Sequence, residues 1–74
     1  MADSPTKDFP VWHTPEGDPV SCVEKIKVLN ENLAELRGLA QDALEDGVLM
    51  GADEAQLREV LVGIIAGLVN PYRK

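Results

Sequence analysis

One feature constrains this chain more than any other: a 4,3 alternation of small or apolar residues, Cys22, Ile26, Leu29, Leu33, Leu36, Ala40, Ala43, Gly47 and Met50, uninterrupted by proline. Residues at that spacing share one face of a helix, so the pattern predicts a single long helix carrying a continuous seam. A seam needs something to lie against, and the rest of the chain offers one further, shorter helix.

The helix boundaries are written in capping chemistry. Ser21 with Glu24 three positions on forms a capping box that opens helix 1, and Asp18-Pro19 offers a start one turn earlier. Gly51 fits the left-handed position that closes a helix. Gly38 and Gly47 weaken the interior, each by about 1 kcal/mol relative to alanine. Asp53 with Gln56 repeats the cap signature, and Asn70-Pro71 ends the second helix, because proline disfavours helical geometry in the residue before it. The expected organisation is an extended, Pro-rich arm over residues 1–19 and a helical hairpin over 20–74, with helix 1 about 21–50, a turn at 51–53 and helix 2 about 54–69. A turn that short makes the two helices antiparallel neighbours.

Length then points to association. Helix 1 would run roughly 44 Å and helix 2 roughly 24 Å, so helix 2 reaches back only to about Leu36 and leaves the seam from Cys22 to Leu33 uncovered. Helix 2 has its own seam at Leu57, Leu61, Ile64 and Leu68, and is also apolar off it at Val62, Ile65, Ala66 and Val69. A helix apolar nearly all round is buried on more than one side. The predicted fold class is therefore all-α: an antiparallel helical hairpin that dimerises into a four-helix bundle. Counting back from the turn sets Ala40 opposite Gly63 and Ile64, and Ala43 opposite Val60 and Leu61, small against large. Gly63 and Gly67 read as a close-packing pair.

Residues 1–19 hold Pro5, Pro10, Pro15 and Pro19, too closely spaced for a helix, yet also two of the three aromatics, Phe9 and Trp12. Such rings are uncommon in a wholly disordered tail, so the arm is expected to be a strap docked on a helix of its own chain or of a neighbour.

Composition excludes several functions. At 74 residues a single core is barely sufficient without disulfides, metal or oligomerisation, and Cys22 is the only cysteine. One histidine and one cysteine cannot fill a tetrahedral metal site, so no metal or other cofactor is expected. The net charge is −6, with seven basic residues that never cluster beyond Arg73-Lys74, so there is no basic footprint for nucleic acid. The uncharged helical run from Val60 to Val69 is about half of what a bilayer crossing needs. The N-terminal residues lack the basic start and apolar stretch of a secretory signal, so the expected setting is cytoplasmic, away from membranes, with a reduced thiol.

No segment carries a catalytic signature, and the chain is expected not to be an enzyme. Cys22, in the first turn of helix 1, occupies a position where a helix N-terminus can activate a thiol, but cysteine on a seam is more often a small core residue. His13 has no second histidine or spaced acid to work with. Glu24, Glu31, Glu35, Asp42, Glu45 and Asp46 lie largely opposite the seam and form a solvated face.

The function these features predict is a small protein-protein interaction module: an accessory subunit, assembly factor or regulator of a larger protein, itself a homodimer. Its contact residues are Phe9, Trp12, Cys22, Ile26, Leu29 and Leu33, with Val62, Ile65 and Val69 on helix 2. Two alternatives come from other classes. An acidic inhibitor would dock its carboxylates in a basic protein groove, with salt-sensitive binding. A small-molecule or redox sensor would use a dimer-core pocket near Cys22 and His13.

Overall fold

The computed structural model describes residues 9–72 and holds two α-helices, α1 (Val23–Leu49) and α2 (Glu54–Ala66), with no strand among the described residues. The chain divides into two compact units, Met1–Gly38 and Leu39–Lys74, and α1 contributes to both.

Residues 1–8 of the expected arm lie outside the described residues, and in the first unit, over residues 9–19, the arm is not simply extended. Thr14-Pro15-Glu16-Gly17 makes a tight turn: the Gly17 N–H donates to the Thr14 carbonyl at 2.9 Å, and Gly17 takes a φ of 100°, which a side chain would strain. The Thr14 N–H donates to the Asp18 carbonyl at 2.7 Å and the Val20 N–H to the Trp12 carbonyl at 2.8 Å, and His13 pairs with Pro19 across an isolated antiparallel bridge. Proline presets the second turn position and glycine supplies the positive φ, so the segment closes on itself.

α1 opens later than the Ser21 cap implies. Its first turn closes with the Ile26 N–H on the Cys22 carbonyl at 3.0 Å, which makes Cys22 the flanking residue and leaves its side chain exposed, not buried on a seam. In this unit the covered face of α1 runs through Ile26, Asn30, Leu33 and Ala34, while Leu29 and Leu36 are exposed. The seam read from sequence is thus rotated: Ile26 and Leu33 hold their places, and Asn30 lies on the covered side in place of Leu29.

In the second unit the end of α1 is closed as its glycine predicts. Gly51 has a φ of 100°, its N–H donates to the Val48 carbonyl at 3.0 Å, and the Ala52 N–H donates to the Gly47 carbonyl at 2.9 Å, the two bonds of a Schellman cap. Asp53 then caps α2, accepting the Gln56 N–H at 2.9 Å from an extended backbone. Arg58 and Glu54, one turn apart, pair at 2.9 Å on the surface.

The helices meet where Gly47 faces Leu57. A Cβ on Gly47 would stand 2.6 Å from one Leu57 methyl, so any larger residue there forces the Leu57 side chain to move. Gly63, by contrast, has open space around it, and Gly67 is the residue that caps α2, so the expected Gly63–Gly67 packing pair is not a contact within the chain. α2 ends at Ala66, three residues short of Val69: the Gly67 N–H still donates to the Gly63 carbonyl at 2.9 Å, and the Leu68 N–H then donates to the Ile65 carbonyl at 3.2 Å in a tighter closing turn. Of its predicted seam, Leu57 and Leu61 are half-buried, whereas Ile64 and Leu68 are exposed.

Candidate interaction surfaces

Two kinds of surface emerge from these elements. The first is the strap on α1. An indole N–H must find an acceptor when it leaves water, and α1 provides one: Trp12 Nε1 donates to Asn30 Oδ1 at 2.9 Å. Asn30 is 3% exposed and is the one buried polar side chain among the described residues. Two turns further along, the Arg37 guanidinium sits over the Phe9 ring, 5.2 Å from its centroid, within range of a cation–π attraction. The aromatic pair predicted to dock on a helix therefore docks on the α1 of its own chain, and the half-buried Ile26 and Leu33 lie on the face it covers.

The second surface is exposed hydrocarbon. Among the described residues no hydrophobic side chain is buried. On α2 and its C-terminal extension Val62 is 68% exposed, Ile65 49% and Val69 83%, with Val60, Ile64 and Leu68 exposed as well. Leu61, Val62, Ile65 and Ala66 line an open apolar groove. On α1 another groove is lined by Glu24, Lys25, Val28, Leu29 and Asn32, with Leu29 40% exposed. Leu44, Val48 and Leu49 form a third with Glu45 and Glu54 at its edge.

The predicted contact residues thus fall into three groups. Phe9, Trp12, Ile26 and Leu33 are half-buried in the first unit, Val62, Ile65 and Val69 stand exposed on the second, and Cys22 and Leu29 are exposed on α1 and its flank. Asn30 escaped the sequence reading. Its signal was an asparagine, a poor helix former, set between Ile26 and Leu33 at helical spacing, with an indole elsewhere in need of an acceptor.

The six acids of the outer face are exposed, and Glu45 accepts a hydrogen bond from Gln41 Nε2 at 2.8 Å. No group of three or more His, Cys, Asp or Glu among the described residues is placed to hold a metal ion, and no described helix is long and apolar enough to cross a membrane. In comparisons with known proteins, no family model, characterised protein or solved structure matches the chain.

Proposed function

We propose that this chain is a non-enzymatic interaction module that completes its hydrophobic core against another polypeptide. Its first partner is a second copy of itself, in a four-helix bundle, and the assembly serves as an accessory subunit, assembly factor or regulator of a larger protein. One observation carries the reading: the second helix is apolar, yet among the described residues no hydrophobic side chain is fully buried. A monomeric soluble protein rarely leaves a large contiguous apolar patch open to water. The six exposed aliphatic residues from Val60 to Val69 amount to on the order of 600 Å² of such surface. Two copies meeting there would remove at most about 1,200 Å², the lower end of a specific stable interface. A reducing cytoplasm is the setting that suits the exposed thiol of Cys22.

Ile65→Asp tests the reading. Ile65 is already half exposed, so a carboxylate there costs a lone chain little, whereas in a shared core it would be buried unpaired. The expected result is association weakened at least about tenfold, or about 1.4 kcal/mol, in sedimentation equilibrium. Unchanged mass and unchanged helicity would contradict the proposal.

A further inference from the structure

The strap is built as a unit that can move without unfolding. Its turn is closed by its own backbone bonds, from Thr14 to Asp18 and from Val20 to Trp12, so lifting it off α1 breaks none of them. Two of the contacts that hold it down are polar on the helix side. Trp12 lies on Asn30 and Phe9 on Arg37, two side chains that water solvates well once uncovered. A leucine under the indole would make opening expensive, because it would expose hydrocarbon. An asparagine lowers that cost, since a protein–protein hydrogen bond is exchanged for bonds to water, and the hydrocarbon left to expose is that of the half-buried Ile26 and Leu33 on the same helix face. Ile26 and Leu33, half-buried and at helical spacing from Asn30 and Arg37, share the face of α1 on which the strap docks, and they are the apolar residues that the interaction reading assigns to a partner.

We propose that residues 9–20 form a reversible cover over the Ile26–Leu33 face of α1, closed in the free chain and displaced when a second copy binds. This rests on the interaction-module reading and adds its regulation: the free chain masks part of its own interface. The Asn30 side chain sets the balance, and loss of its hydrogen bond with Trp12 shifts the cover towards the open form roughly fivefold.

Trp12 is the only tryptophan, so its fluorescence reports on the cover alone. The experiment measures acrylamide quenching and solution mass together on the full chain, on Asn30→Ala, on Trp12→Phe for mass only, and on Ile65→Asp as the weakly associating reference. The expected results are low quenching in dilute Ile65→Asp, higher quenching in the associated wild type, and association several-fold tighter in Asn30→Ala and Trp12→Phe with helicity retained. Association that proceeds with quenching as low as in Ile65→Asp overturns the cover and leaves the module reading intact. Weaker association in Trp12→Phe and Asn30→Ala overturns it too, by making the strap part of the interface. Failure of the wild type and of both strap variants to associate overturns the module reading and the cover with it. A monomeric wild type whose strap variants associate supports the cover.

Discussion

At the scale of single residues, glycine and asparagine decide where this chain closes up. Gly38 and Gly47 both interrupt α1, and propensity alone treats them alike, but their surroundings differ. A Cβ on Gly38 meets nothing within 4 Å, whereas one on Gly47 runs into both methyls of Leu57 and, at 3.2 Å, its Cγ. Gly38→Ala should therefore stabilise the chain by about 0.5–1 kcal/mol, and Gly47→Ala should destabilise it by about 1 kcal/mol, since overpacking outweighs the gain in helix propensity. Urea denaturation followed by circular dichroism at 222 nm checks both, and equal gains at the two sites would mean that Gly47 is not a contact point. Asn30 shows where residue-level reading ran out. Periodicity marks apolar positions, so it selected Leu29, and a polar residue that is covered because it answers an indole N–H some 18 residues away leaves no periodic trace.

At the scale of elements, the punctuation of the chain was legible and the faces were less so. The Gly51 cap and the Asp53–Gln56 start of α2 rest on local chemistry, a positive φ and a side chain that accepts a backbone N–H, and both stand as the residues imply. Removing the Asp53 carboxylate should accordingly cost about 1 kcal/mol: Asp53→Ala is expected to lower the urea midpoint, and an unchanged midpoint would show that the cap bond adds nothing. The ends that misled were those where a second solution competed. α2 stops at Gly67, ahead of Pro71, where the Leu68 N–H turns to the Ile65 carbonyl and tightens the last turn. The arm, read as extended from its proline spacing, turns back because Thr14-Pro15-Glu16-Gly17 carries a turn signature that outweighs it. The rotation of the α1 face has the same origin. The face of a helix is set by what covers it, and here the cover in the first unit is a strap with its own preferred acceptor.

At the scale of the whole molecule, the balance between charge and hydrocarbon defines the account. The net charge of −6 keeps copies apart over most of the surface, but the segment from Val60 to Asn70 carries no charge at all. Two copies can meet there without opposing like charges, and a two-fold arrangement would bring the same patch onto itself. The sequence pattern pointed to this surplus through the off-seam residues of α2, and the exposed Val62, Ile65 and Val69 agree with it. On the proposed reading, this surplus is the surface that a second copy covers. The most direct test is the solution mass of the full chain by light scattering, with helicity recorded in parallel from the lowest workable concentration upward. The account predicts about 16 kDa, twice the 8.0 kDa of one chain, with helicity falling as the species dissociates on dilution. A fully helical 8.0 kDa species that persists across the range would contradict it.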